Sequence, residues 1–185
     1  MRRAASQLAV WNRLGADPLQ IGVDLTARHI ARARVVEDVR AAVADSGIDP
    51  GQLVIEITDT TLIDRVAGYL QLGEIRASGV VVSLVDFGTG YSSVRRLQQL
   101  PIDLVKLDGG FVDWHTPSGA VLMRLTVQGV QNTGMPLIVS AVGDLEHFSL
   151  LKDMGCEVMM GPFFDGPYTA DEVTAQLSPD RERAS

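Results

Sequence analysis

The chain has 185 residues, a formal net charge of −7, 46% hydrophobic residues and one cysteine. That length supports one domain with a sizeable core, and the acidic balance argues against a general polyanion-binding surface, because nucleic acid is held chiefly by clustered Lys and Arg. Cys156 alone forms neither an internal disulfide nor a cysteine zinc site, and no apolar run approaches the roughly 20 residues that a membrane-spanning helix needs, so a cytoplasmic chain without nucleic-acid or membrane partners is expected.

The N-terminal stretch MRRAASQLAVWNRLG begins with two arginines and so imitates a secretion signal, but Gln7, Asn12 and Arg13 interrupt its apolar part. It reads as an amphipathic helix ending at Gly15. Five short apolar runs rich in Val and Ile follow: LQIGV before Asp24, LVI before Glu56, VVSLV before Asp86, DLV before Lys106 and LIVSAV before Gly143-Asp144; VMM before Gly161 is a weaker sixth. Between them lie RARVVEDVRAAVADSG, VAGYLQLGEIRASG and FSLLKDMG, each with apolar residues three or four apart and a glycine stop, the pattern of amphipathic helices. One domain over residues 1–177 is expected, with the polar tail SPDRERAS, 178–185, disordered.

Strands that read apolar throughout and alternate with helices imply parallel βα units buried on both faces. Asp24, Glu56, Asp86, Lys106 and Asp144 each fall at or just beyond the C-terminal end of an apolar run. In a βα barrel those ends converge on one mouth, where chemistry is located, whereas a doubly wound sheet spreads them along an edge. The fold class expected is therefore α/β, a TIM-type βα barrel, left incomplete because six strands are found and closure takes eight.

DFGTGYSS, Asp86 to Ser93, admits three readings. The Asp-Phe-Gly triplet occurs in protein kinases, but no glycine-rich phosphate loop or HRD loop accompanies it here. Gly88-Thr89-Gly90 between strand and helix matches part of a dinucleotide fingerprint, with Asp108 about 20 residues on, but the third glycine is missing. A plain structural account is a tight turn followed by Ser92 or Ser93 capping the helix VRRLQQL.

The third reading is a resemblance to the EAL domain, the cyclic di-GMP phosphodiesterase family. IGVDLTARHI resembles its V-N-L-S segment and LVIEITDT its E-L-T-E-S. VSLVDFGTGYSSVRRLQQLPIDLVKLDGGFV resembles D-D-F-G-T-G-Y-S-S and K-I-D-R-S-F-V, PLIVSAVGDLEHF resembles A-E-G-V-E-T, and MGCEVMMGPFFDGP resembles Q-G-Y-x-F-x-x-P. Order and spacing agree throughout. The resemblance implies a modified eight-stranded βα barrel of which the first two strands are lacking. It implies hydrolysis of one phosphodiester bond by water held between two Mg2+ or Mn2+ ions, roughly 3.5 to 4 Å apart.

Carried over by position, the resemblance retains Glu56, Asp86 and Lys106, puts Asp24 in place of the family asparagine and Asp144 in place of the second glutamate of A-E-G-V-E. It also implies losses: Val85 for the first aspartate of D-D, Ala141 for the glutamate of A-E-G, Met160 for the glutamine, and the Glu-Ala-Leu signature itself. Val, Ala and Met offer no oxygen, and hard divalent ions keep oxygen ligands. The expectation is a degenerate, non-catalytic EAL domain, a nucleotide sensor or protein-interaction module that needs no cofactor. Its candidate ligand contacts are Asp24, Glu56, Asp86, Gly88, Gly90, Lys106 and Asp144, with Asp24, Glu56 and Asp86 the residual metal candidates. The alternative is a phosphodiesterase with residual or partner-completed activity, dependent on Mg2+ or Mn2+. Cyclic di-GMP is the expected small ligand, and unpaired strand edges suggest self-association or a protein partner.

Plainer roles stand beside these. Glu56 and Lys106 can serve solely as an ion pair, and Asp86 can cap its own loop. His29, His115 and His147 lie away from strand ends and are expected at the surface, Trp11 and Trp114 in packing roles, and Cys156 in the core.

Overall fold

A computed structural model of the chain describes residues 1–15, 19–58, 66–89 and 93–178, without the side chains of 66 and 67. Gly90, Ser92 and residues 179–185 lie outside this set. Among the described residues eight α-helices and six strands follow in the order α1 Arg2–Asn12, β1 Ile21–Asp24, α2 Ala27–Ile30, α3 Val35–Ser46, β2 Leu53–Thr58, α4 Val66–Ala77 and β3 Val81–Phe87. Then come α5 Val94–Leu97, β4 Leu104–Asp108, α6 Pro117–Gln131, β5 Leu137–Ser140, α7 Leu145–Asp153, β6 Val158–Met159 and α8 Ala170–Leu177. The strands form one parallel sheet in the order β1-β2-β3-β4-β5-β6, an incomplete α/β barrel, as the apolar runs imply.

The helices follow from periodicity and end signals. In α3, Val35, Val36, Val39 and Ala42 form the buried stripe, and Gly47 closes the helix at φ 69°, a left-handed turn that glycine adopts without a Cβ penalty. In α6, Thr116 accepts the amide of Gly119 and Pro117 opens the first turn, while Gly119, Met123, Val127 and Val130 are buried. The Thr169–Glu172 capping box starts α8. Ser178, at the C-terminal cap of α8, donates to the carbonyl of Thr174 at 2.8 Å.

The two faces of the sheet differ. Leu53, Ile55, Ile57, Val82, Leu84, Val105 and Leu107 all point to the helix side and lie in the core. Register puts Asp24, Glu56 and Ser83 side by side on the opposite, luminal face, with Lys106 and Asp108 further along β4. There Gly22 and Asp24 are exposed and Glu56, Lys106 and Asp108 are half-buried. The expectation of burial on both faces holds for the central strands, where Val54, Ser83, Val85 and Leu104 are buried on the luminal face, and is corrected for β1, where Gly22 and Asp24 on that face are exposed. The first helix packs on α3 and β1 with Ala5 and Leu8 in the helix-side core, and its Trp11 indole N–H donates to Thr174 Oγ1 of α8 at 2.9 Å, tying the ends of the arc together.

Candidate functional site at the barrel mouth

Glu56 and Lys106 are the centre of the site. They sit on β2 and β4, and Lys106 reaches across β3 so that its Nζ bonds Glu56 Oε1. The side chains are only 14% and 19% exposed, so the pair is largely desolvated, the condition under which removing one partner is costly. Ser83 and Val85, both buried, occupy β3 between them. The carboxylate lies against Gly22, where a Cβ would stand 2.3 Å from Glu56 Oε1.

The other expected residues are placed differently. Asp24 is paired in register with Glu56 and is exposed. Register along β3 and β4 shifts between Leu84 and Phe87, so Val85 and Asp86 oppose Lys106 alone: a β-bulge. Asp86 there adopts φ 55° and is exposed, and its carbonyl, not its carboxylate, accepts from Thr89 N and Oγ1. Gly88, at φ 100°, packs under Phe111, whose ring a Cβ would meet at 2.8 Å. Gly90 is outside the described residues. Asp144 is the N-cap of α7, its Oδ1 accepting the His147 amide at 2.8 Å. Ser93 stands at the N-cap of α5 but its side chain makes no capping bond, and Ser92 lies outside the described residues.

Backbone geometry corrects the registration of A-E-G-V-E-T. Ala141 has φ 58°, the left-handed region that favours glycine. Ser140 is the partner of Asp108 and shares its luminal face. Aligning the motif's glycine with Ala141, and its valine with Val142, puts Ser140 at the glutamate, Gly143 at the second glutamate and Asp144 at the threonine. Matching Val142 to the motif valine was the sequence signal that finds this. The conclusion drawn from Ala141 carries over to Ser140: neither residue supplies a carboxylate.

The histidines divide. His29 is exposed and its Nδ1 completes a capping box with Thr26 at the start of α2, and His115 is exposed. His147, expected at the surface, is buried, 3% exposed, because it lies one turn before Leu151 on the inner face of α7. Its ring stacks on Trp114 at 4.8 Å and 18° and covers Gly109, where a Cβ would stand 2.9 Å from His147 Cε1. Burial pushes its pKa down; Asp144 pulls it up and His115 reinforces the lowering. Cys156 is buried as expected, and burial pushes its thiol up to about 11.

A metal pair does not fit this donor set. Val85 presents hydrocarbon, Ser140 a hydroxyl, Asp144 caps a helix, and the Glu56 carboxylate is already held by an ammonium. Among the described residues no three His, Cys, Asp or Glu side chains gather closely enough to hold an ion. No helix of the described residues is long and apolar enough to cross a membrane.

Comparison with known proteins agrees with this architecture. The chain is 29% identical over 178 residues to the bifunctional diguanylate cyclase/cyclic di-GMP phosphodiesterase MucR of Pseudomonas aeruginosa, covering 95% of this chain and 26% of the relative. It is 31% identical over 179 residues to the oxygen sensor protein DosP of Escherichia coli, covering 95% and 22%. The chain thus spans about a quarter of the length of these curated relatives. Among solved structures, the Pseudomonas aeruginosa MucR phosphodiesterase in complex with c-di-GMP superposes with a TM-score of 0.85 at 29% identity, over 93% of this chain and 71% of that one. The EAL domain of Mycobacterium smegmatis DcpA superposes at 0.87 with 24% identity, over 95% and 81%, and supports the fold alone. The family model described as EAL domain matches residues 1–167, and the chain therefore belongs to the EAL domain family.

Proposed function

We propose that this chain is a non-catalytic EAL domain that acts in cyclic di-GMP signalling as a cytoplasmic nucleotide sensor, taking the ligand at its open mouth without a metal. The observation that carries this reading is the Glu56–Lys106 pair: the family's charged residues at these two places persist, but they are bonded to each other. No carboxylate stands at Val85, nor at Ala141 or Ser140, and Met160 stands for the glutamine. A phosphate needs no metal to be held when a lysine and backbone N–H groups face it. Lys106 supplies the cation, and Asp24, Asp86 and Gly88 border the same mouth. The solved c-di-GMP complex of a relative 29% identical over most of this chain supports the choice of ligand. Incubation of cyclic di-GMP with the purified chain and MnCl2 or MgCl2, followed by chromatography, tests the non-catalytic part. Intact ligand is expected; linear dinucleotide produced in proportion to protein, and lost in Glu56→Gln, supports the residual phosphodiesterase instead.

A second reading, self-association, rests on the edges of the arc. Among the described residues β1 and β6 each pair with one strand only, and Val158 and Met160 at the β6 end are 52% and 47% exposed. Unpaired edges with apolar side chains recruit a further chain, here a second copy. Sedimentation velocity at micromolar concentration is expected to show a species heavier than 19.9 kDa; a single monomeric boundary rules this out.

A further inference from the structure

We propose that Ser83 is a positioning residue for Glu56: when Lys106 leaves the Glu56 carboxylate for a phosphate at the mouth, that carboxylate swings toward β3 and takes the Ser83 hydroxyl as its new donor. The proposal deepens the metal-free reading above and rests on it.

Ser83 is fully buried, and its Oγ has no hydrogen-bond partner among the described residues. A hydroxyl buried without a partner costs free energy, and native structures keep few of them. Its luminal surroundings explain the lack. Leu104, its partner in register on β4, and Val85, two residues along its own strand, are hydrocarbon and only 9% and 8% exposed. On the other side stands Glu56, its partner in register on β2. Adjacent strands lie about 4.8 Å apart, so a carboxylate turned toward β3 comes within reach of the hydroxyl. In this structure it is turned the other way, against Gly22 of β1, where a Cβ would meet Glu56 Cδ at 2.7 Å.

Lys106 accounts for that posture. From β4 its side chain reaches across β3 to bond Glu56, passing over the strand that carries Ser83 and Val85. To hold a phosphate, the ammonium has to give up this bond, and a half-buried carboxylate left without a partner is costly. A replacement donor on the same face removes most of that cost. The register partners on β1 cannot supply one, since Gly22 has no side chain and Asp24 is itself an acid. Ser83 can, through a hydrogen bond strengthened by the negative charge of its acceptor. Withdrawal of the lysine stem also clears the space above β3 into which the carboxylate turns. The orphan hydroxyl of the free state is thus the partner that Glu56 needs in the bound state.

Two double-mutant cycles test this. The first is thermal melting in EDTA, without nucleotide, of the parent, Ser83→Ala, Lys106→Ala and Lys106→Ala/Ser83→Ala. In the parent background Ser83→Ala is expected to melt at the same temperature or higher, because it removes a hydroxyl that bonds nothing. In the Lys106→Ala background the same substitution is expected to lower Tm by about 2–4 °C, and adding Glu56→Met should cancel that loss. A filler role for Ser83, or a buried water on its hydroxyl, gives the same effect in both backgrounds, which overturns the proposal. Lys106→Ala leaves a buried charge unpaired and is the variant most at risk of unfolding, so the second cycle keeps Lys106. Cyclic di-GMP is titrated in EDTA into the parent, Ser83→Ala, Glu56→Met and Ser83→Ala/Glu56→Met. Ser83→Ala is expected to raise Kd about tenfold in the parent and to leave it unchanged beside Glu56→Met. An unchanged Kd in Ser83→Ala alone overturns the exchange. A parent that binds no cyclic di-GMP sinks the sensor reading instead, and the melting cycle then decides the role of Ser83.

Discussion

Replacing Ala141 by glycine should stabilise the protein, although Ala→Gly substitutions ordinarily do the reverse. At φ 58° the Ala141 Cβ crowds its own backbone, a penalty of about 1–2 kcal/mol for an L-residue. Glycine removes it, at the expense of a freer unfolded chain worth about 0.4–1 kcal/mol. Ala141 is exposed, so its methyl group forfeits little packing. The net gain is about 1 kcal/mol, or a rise in Tm of about 2–4 °C for a chain of this size. Differential scanning calorimetry reads this directly, with Ala41→Gly in the middle of α3 as the control; that change should lose about 1 kcal/mol from helix propensity. Ala141→Val should fall below the parent, because a β-branched side chain tolerates this backbone least. If Ala141→Gly melts lower than the parent, as the control does, position 141 does not hold a glycine conformation and the registration of Ser140 on the family glutamate fails with it.

Further outcomes are expected elsewhere in the barrel. Gly161→Ala would put a Cβ 2.4 Å from the Val142 amide nitrogen at φ 149°, a backbone open essentially to glycine, so a loss of about 2–3 kcal/mol should appear in urea unfolding. Burial holds the folded pKa of His147 below its ordinary value of 6.5, so the unfolded state takes up the proton first. The neutral ring therefore costs nothing above pH 6.5, and stability falls as pH drops through 6.5 toward the lowered folded value; His147→Gln should flatten a plot of Tm against pH between 7 and 5, and an unchanged slope contradicts the burial. Cys156, with its thiol at about 11 and its side chain buried, should resist iodoacetamide at pH 8 until denaturant is added; modification as fast as that of a free thiol contradicts its core position.

The strands were the most legible part of the sequence, because parallel strands buried on both faces, as β2, β3 and β4 are in large part, read as continuous Val and Ile runs. LVI, VVSLV and DLV each begin or lie within one residue of the start of an observed strand. The pairing of Glu56 with Lys106 was also accessible, since both end apolar runs and their strands are separated by β3 alone. The conformation of Asp86 was not. A bulge adds one residue to β3 against β4, and nothing in VVSLVDF marks which residue turns outward. Ala141 hid its left-handed backbone because alanine advertises no such preference, and only the motif valine at Val142 carries the register. His147 was misread because a histidine suggests water, whereas its spacing from Leu151 placed it inside. Gly22 looked like an ordinary strand glycine until the carboxylate lying over it gave it a reason.

The central claim is that this mouth holds cyclic di-GMP without a metal and leaves it intact. Isothermal titration of cyclic di-GMP into the chain, run once in EDTA and once in MnCl2, tests it most directly. The account predicts saturable heat with the same Kd in both buffers, lost in Lys106→Met. Binding that collapses in EDTA, or no heat in either buffer, contradicts it.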